Sequence, residues 1–156
     1  MTTIHQPDTN GTAAVDHRGL RVLEFDECLR RVASAPVGRV AFRDGGEILV
    51  LPVNHVADGV AVTFRTTWGS KLAATVRDEP VAFEVDGYED NARVGWSVLV
   101  KGTASVIDDE ATCARLEEEL GEPWIGPSEE SFWIRLRPDE VSGRELVHTR
   151  SIGHCC

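Results

Sequence analysis

The chain has 156 residues, of which 42% are hydrophobic and 27% charged, and it carries a formal net charge of −10 at pH 7. This length suits one domain around a single core, and the composition is that of an ordinary globular protein. The negative field excludes binding of nucleic acid or of an anionic membrane through overall charge, so any anion site must be built locally from positioned groups.

The two ends of the chain read differently from its middle. Residues 1–20 lack the basic and apolar regions of a secretory signal and are predicted to form a flexible N-terminal arm. Residues 148–156 are predicted to form a flexible C-terminal tail. No apolar run approaches the roughly 18 residues of a transmembrane helix. The four cysteines (Cys28, Cys113, Cys155 and Cys156) form no C-x-x-C pair, so we expect reduced thiols and a cytoplasmic protein.

Apolar periodicity between these ends predicts six strands, joined mostly by hairpins, and three short helices. The strands are expected at Val37–Asp44, Glu47–Ala57, Val60–Thr66, Val81–Glu89, Arg93–Asp108 and Ser131–Leu146. The helices are expected at Leu23–Pro36, Lys71–Asp78 and Asp109–Gly121. Because strands and helices do not alternate as βαβ units, the order indicates a small antiparallel barrel with helices at its ends.

Single residues mark where these elements begin, turn or break. Asp26 and Asp109 are predicted N-caps of the first and last helices, and Asp58 with Gly59 predicts a hairpin turn. Three further positions predict irregular strands: an edge, bulge or strand end at Pro52, a bend or bulge at Gly102, and a split of the last strand at Pro138.

The stretch 63–74, TFRTTWGSKLAA, joins a predicted strand to a predicted helix. Its donors suit a phosphate, because a helix N-terminus has free N–H groups and a partial positive charge. Arg65 can pair two phosphate oxygens, and Thr66, Ser70 and Lys71 add hydroxyls and charge. The alternative is an ordinary turn in which Ser70 caps the helix and both cations are solvated. Spacing alone leaves both interpretations open, since the stretch is neither a P-loop nor a Rossmann turn.

The segments VGRVAF, VLPVNHVADG, FRTTWGSKLAA, VAFEVDGYE and GWSVLVKGTA occur in this order. Together they resemble the pyridoxamine 5′-phosphate oxidase-like family of flavin-binding split-barrel proteins, in particular its short actinobacterial and nitroimidazole-reductase-like branch. The resemblance implies a mainly β (α+β) fold over residues 21–147: a six-stranded antiparallel split β-barrel with short peripheral helices. It also implies a homodimer with two flavin mononucleotides (FMN) in grooves at its interface.

The resemblance further assigns cofactor contacts to residues of this chain. It implies that the phosphate is held by Arg65, Thr66, Ser70 and Lys71. It implies that the backbone of Leu51, Pro52, Val53 and Asn54 runs beside the isoalloxazine ring. Trp96 and Ser97 would approach from the long strand, of the same or the partner chain, and Trp124 would cover the ring. It assigns no catalytic residue and no metal.

The function implied is that of a flavin-dependent oxidoreductase with an unidentified small-molecule substrate. The chain has no convincing match to the C-terminal arginine motif of the true pyridoxamine phosphate oxidases, so oxidation of pyridoxamine phosphate does not follow. Two alternatives stay open: a reductase that uses the deazaflavin F420 on the same fold, and a non-enzymatic flavin-binding module or a dimer without cofactor. No Ser–His–Asp or Cys–His arrangement that would activate a nucleophile is evident.

Two groups with metal-binding or acid–base potential have simpler interpretations. His55 is a candidate proton donor near the flavin, but a strand histidine that faces solvent is favoured. His148, His154, Cys155 and Cys156 offer ligands for a soft metal, yet their spacing matches no known site. A tail with incidental thiols is therefore the favoured interpretation.

Overall fold

The computed structural model describes residues 14–67, 79–124 and 131–147. These residues form eight strands and two helices. In chain order they are β1 (Arg21–Val22), α1 (Phe25–Ser34), β2 (Gly38–Asp44), β3 (Glu47–Val53), β4 (His55–Asp58), β5 (Ala61–Thr66), β6 (Pro80–Glu89), β7 (Val94–Ile107), α2 (Glu110–Leu120) and β8 (Phe132–Leu146).

All eight strands belong to one antiparallel sheet with the order β3-β2-β6-β7-β8-β5-β4, and β1 pairs with β8. The strands at the two ends of this order, β3 and β4, are consecutive in the chain and separated only by Asn54. The sheet therefore curls until its ends meet at Asn54, which confirms the predicted split barrel. The sheet has eight strands instead of six because β1 is added and the predicted strand Glu47–Ala57 divides at Asn54.

Alternation along the strands explains where the core lies. Val98, Val100 and Ala104 of β7 are buried, whereas Lys101 and Thr103 between them are exposed. Such a period of two places one face of the strand inside the barrel and the other outside. The main core fills the barrel and includes Cys28 and Val32 of α1. A second cluster lies under α2, where Leu116 packs against Val56 and Trp133.

The structure tests the predicted caps directly. The Asp109 carboxylate accepts a hydrogen bond of 2.8 Å from the Thr112 N–H, which confirms it as the N-cap of α2. Asp26 is not an N-cap: it lies in the first turn of α1, and Glu24 occupies the capping position. The helix starts earlier because the N–H of Leu23 bonds to the carbonyl of Gly143 on β8, which fixes where the extended chain ends.

The predicted bulge in the long strand is also present. The pairing of β7 with β8 shifts between Lys101 and Gly102, and Asp139 is the residue without an opposite partner. This bulge takes in Pro138, so β8 continues through it and the predicted split of the last strand is wrong. Pro52 lies on β3, an edge strand of the sheet, and an edge position is one of the three alternatives predicted for it.

Several predictions concern residues beyond the described ranges. The helix Lys71–Asp78, the whole tail 148–156 and the first thirteen residues of the arm lie outside them. Residues 14–20 are described: the Asp16 carboxylate accepts hydrogen bonds from the N–H groups of Arg18 and Leu20. Within the described ranges, neither helix is long and apolar enough to cross a membrane.

Candidate functional site

Arg65 lies at the end of β5, where the predicted phosphate site begins. Its Nε–H donates a hydrogen bond of 2.7 Å to the Ser131 hydroxyl, and its Nη1 lies 3.2 Å from a carboxylate oxygen of Glu117 on α2. The side chain of Arg65 is 22% exposed. A guanidinium has five N–H donors, and these two contacts use only part of them. The group is therefore oriented and still able to meet an external anion.

Thr66 does not join Arg65 on one face. Successive strand residues point to opposite sides of a sheet, and Thr66 is buried at 7% exposure beside the interior-facing Phe64 and Val62. The Thr66 and Arg65 side chains therefore point to opposite sides of the sheet. Ser70 and Lys71, the other two residues predicted to hold phosphate, lie outside the described residues.

Trp133 is the cross-strand neighbour of Arg65 in the β5–β8 register. Side chains opposite one another on an antiparallel pair share a face. The indole N–H of Trp133 is buried and finds no acceptor among the described residues. A second hydrogen-bond donor thus accompanies Arg65 on the face that α2 covers.

The predicted ring contacts, Leu51 to Asn54, lie at the end of β3 and the junction with β4. Leu51 is half-buried, Pro52 exposed and Val53 buried. In the described residues β3 pairs only with β2, so one edge of its backbone points away from the sheet. That edge presents carbonyl and N–H groups, except at Pro52, which has no N–H.

Asn54 joins three parts of the molecule. Its side-chain amide donates a hydrogen bond of 2.9 Å to the Pro36 carbonyl after α1. Its side-chain oxygen, Oδ1, accepts a hydrogen bond of 3.1 Å from the backbone N–H of Trp124, beyond the end of α2. The structure thus brings the predicted ring-contact segment and Trp124 together. Trp124 is 75% exposed, so most of this large aromatic residue is open to solvent.

Trp96 and Ser97 lie elsewhere in the chain. β7 is separated from β3 by β2 and β6, and from β5 by β8. The Trp96 ring packs on Gly87, and the Arg31 guanidinium lies 4.9 Å over it. Trp96 and Ser97 line an open groove of about 350 Å³ with Tyr88, Gly95 and Leu146. Within one chain they are therefore not neighbours of Arg65 or Asn54.

An ion-pair network fixes the Arg31 side chain above Trp96. Arg31 lies 2.7 Å from Glu145 of β8, and Arg21 of β1 binds both Glu145 and Glu27. The hydrogen bonds from Arg21 lower the pKa of Glu27. The network ties α1 and β1 to β8 and so holds the Arg31 guanidinium over the Trp96 ring.

His55 is not the solvent-facing residue that its strand position suggested. Its Nε2 lies 2.7 Å from the Val32 carbonyl, and its ring meets Phe83 edge-on at 4.9 Å. The reason is the single-residue junction at Asn54, which turns the chain beneath α1. Burial lowers the pKa of His55, so the neutral ring is favoured. The ring serves packing between α1 and the barrel.

Glu117, Ser131 and Arg31 are site residues that sequence reasoning did not identify. Ser131 is 66 positions from Arg65, and no local pattern links such distant partners. The usable signal was Arg65 itself, because an arginine that becomes half-buried requires a hydrogen-bond acceptor nearby. No three His, Cys, Asp or Glu residues group as metal ligands within the described ranges.

Comparison with known proteins gives consistent matches over most of the chain. The model of a family described as pyridoxamine 5′-phosphate oxidase matches residues 24–145. The uncharacterised protein Rv0080 of Mycobacterium tuberculosis is 32% identical over 130 residues, 80% of this chain and 84% of that protein.

Solved structures agree with this assignment. A Corynebacterium glutamicum protein provisionally assigned as a pyridoxamine 5′-phosphate oxidase has a TM-score of 0.69 and 32% identity, covering 81% of this chain and 92% of its own. The FAD-binding protein of Mycobacterium smegmatis has a TM-score of 0.68 and 30% identity, covering 82% of this chain and 99% of its own.

Proposed function

Because this chain belongs to the pyridoxamine 5′-phosphate oxidase family, we propose that it binds a flavin, FMN, and acts as a flavin-dependent oxidoreductase. The observation that carries the proposal is the Arg65 guanidinium, which Ser131 orients at the end of β5 in a chain of net charge −10. The similarity to the FAD-binding protein of Mycobacterium smegmatis supports a flavin. The bound flavin would supply electron or hydride transfer, and the protein would bind and orient it.

The described residues fit the two ends of such a cofactor. Arg65 would hold the phosphate by charge-assisted hydrogen bonds, with Thr66 contributing through its backbone. The free edge of β3, from Leu51 to Val53, would bond the polar edge of the ring. The Trp124 indole, tied to the same segment through Asn54, would cover the ring face. Ser70 and Lys71 remain predicted phosphate ligands.

We further propose a homodimer, because the Trp96 groove is remote from Arg65 within one chain. A dimer would place the partner subunit's Trp96 and the partner subunit's Ser97 beside the cofactor. The outward face of β3 supports an interface, since Ile48 is 71% and Val50 57% exposed on an edge strand. Contiguous exposed apolar residues of this kind are typical of protein contacts.

The free thiols of Cys28 and Cys113 suit the predicted cytoplasmic location.

Titration of the full chain with FMN, followed by quenching of flavin fluorescence, tests the proposal. We expect micromolar or tighter binding. Arg65→Ala should weaken it by about 10- to 100-fold, since hydrogen bonds to charged groups contribute roughly 1.5–3 kcal/mol. Arg30→Ala is the matched control, because Arg30 is exposed on α1 and makes no ion pair with the described residues. Equal losses in both variants would contradict the role of Arg65.

Two further arms separate the alternatives. Competition between FMN and F420 for the apo protein identifies the cofactor, and absence of binding by either would overturn the proposal. Anaerobic mixing of the loaded protein with NADH or NADPH then tests the enzyme class. A bound flavin that no nicotinamide donor reduces, and that no acceptor reoxidises once it is reduced chemically, would favour the non-enzymatic binding module.

A further inference from the structure

Glu117 is the anionic partner of Arg65 at the end of β5, where the proposed phosphate would bind. Its carboxylate lies 3.2 Å from Nη1 of Arg65, and it reaches there from the middle of α2. The second partner, Ser131, has a neutral hydroxyl that orients Nε without cancelling the charge. In the arrangement described, Glu117 therefore neutralises the cation that the proposed phosphate requires.

The exposure of the two partners is unequal. The Glu117 side chain is 51% exposed, whereas that of Arg65 is 22% exposed. A half-exposed carboxylate regains its hydration when it leaves an ion pair, so such a pair contributes little to folding. A less exposed guanidinium depends more on keeping a partner. Replacing Glu117 by a phosphate therefore costs little free energy for the carboxylate, and Arg65 keeps a charged partner.

Charge favours displacement of Glu117 over joint binding of Glu117 and a phosphate. A phosphate monoester carries between one and two negative charges near neutral pH, and Glu117 beside it would repel it. The other ion pairs of α2 do not depend on this contact: Arg115 lies 2.9 Å from Glu119 and 3.4 Å from Asp58. Leu116 is fully buried against the barrel. α2 can therefore stay in place while the Glu117 side chain turns away.

We propose that Glu117 is an internal counter-ion of Arg65 that competes with the cofactor phosphate and so sets the affinity for phosphorylated flavins. The inference rests on the proposed function, in which Arg65 holds that phosphate. It adds to that function a residue, Glu117, that weakens binding of the phosphorylated cofactor. Riboflavin has the same ring but no phosphate, so the affinity for riboflavin should not depend on Glu117.

The test compares Glu117→Gln with Glu118→Gln, using FMN and riboflavin as probes. Both substitutions remove one charge from the same helix, but Glu118 makes no ion pair with the described residues. We expect Glu117→Gln to tighten FMN binding by about two- to fivefold, the effect of one partly exposed charge pair. Riboflavin affinity should not change in either variant. FMN affinity that is equal in the two variants would overturn the inference, as would a gain shared by riboflavin.

A double-mutant cycle isolates the route through Arg65. In an Arg65→Ala background, Glu117→Gln should leave FMN affinity unchanged, because the competed group is gone. A persistent gain there would mean that Glu117 acts through general charge, and the inference would fail. Thermal melts of each variant exclude unfolding as the cause, and Glu117→Ala repeats the test if the glutamine variant folds poorly.

Inorganic phosphate separates failure of this inference from failure of the proposed function. The Arg65 Nε–H signal in a ¹H–¹⁵N NMR spectrum should shift at lower phosphate concentration in Glu117→Gln than in Glu118→Gln. If the wild-type chain binds no flavin, the proposed function fails, and the phosphate titration still decides the role of Glu117. Identical phosphate titrations in the two variants would overturn that role.

Discussion

His55 illustrates how one side chain links packing to pH. Burial lowers its pKa, so the folded chain accepts the proton only at a lower pH than the unfolded chain, whose histidine titrates near 6.5. Between those two pKa values the unfolded state holds more protons, and acidification therefore favours unfolding. The stabilisation is complete above about pH 6.5 and is lost as pH falls toward the folded pKa.

We therefore expect the free energy of unfolding to fall between pH 7 and pH 5, by at most about 1.4 kcal/mol per pH unit for this one proton. His55→Gln, which cannot titrate, should show a shallower slope in urea melts over the same range. His17→Gln is the control, because His17 is exposed in the N-terminal turn. An unchanged slope in His55→Gln would show that the loss comes from other groups.

Residues with local partners were predictable, whereas residues with distant ones were not. The Asp109 cap depends on Thr112, three residues on, and the sequence pattern contains both. The partner of Arg21 on β8 is 124 positions away, and Glu117 reaches Arg65 only because α2 packs against β4 and β8, the strands on either side of β5. Arg65 and Thr66 were adjacent in the predicted site, yet the alternation of β5 separates their side chains. Composition cannot supply such geometry.

At the scale of elements, β7 and β8 show why a bulge must sit where it does. Their pairing continues on both sides of Gly102 but skips Asp139. A Cβ at Gly102 would lie 1.9 Å from the Arg137 carbonyl oxygen, a backbone atom that no rotamer change can move. The glycine therefore permits the close approach on which the longest strand pair depends. The sequence indicated this bulge, because a glycine inside a strand pattern is its usual mark.

Gly102→Ala should destabilise the fold by about 1–3 kcal/mol, the usual cost of overpacking, since the two strands must separate locally. Chemical denaturation of the variant and the wild type measures this difference. Ser105→Ala, at an exposed position on the same strand, should stay within about 0.5 kcal/mol. A Gly102→Ala variant as stable as the wild type would mean that the bulge relaxes without cost.

For the whole molecule, closure of the sheet at Asn54 determines what one chain can and cannot assemble. It brings Pro36, Asn54 and Trp124 to one end of the barrel. It leaves the Trp96 groove across the sheet and an apolar row on the outer face of β3. The strands and their hairpins followed from sequence periodicity, but the order of the strands in the sheet and the separation of the two half-sites did not. A second copy of the chain supplies the missing half in the proposed dimer.

Val50→Glu tests this dependence on a second copy. A carboxylate at the centre of the exposed β3 face would be buried without a partner in the proposed interface, which disfavours association. We expect the wild-type chain to elute as a dimer in size-exclusion chromatography with light scattering, and the variant as a monomer with at least tenfold weaker FMN binding.

Val60→Glu is the matched control: Val60 is 53% and Val50 57% exposed, but Val60 lies in the β4–β5 turn, away from this face. The control should remain dimeric and bind FMN normally. A monomeric wild type with full FMN affinity would refute the composite site, because Arg65, Asn54 and Trp124 of one chain would then suffice.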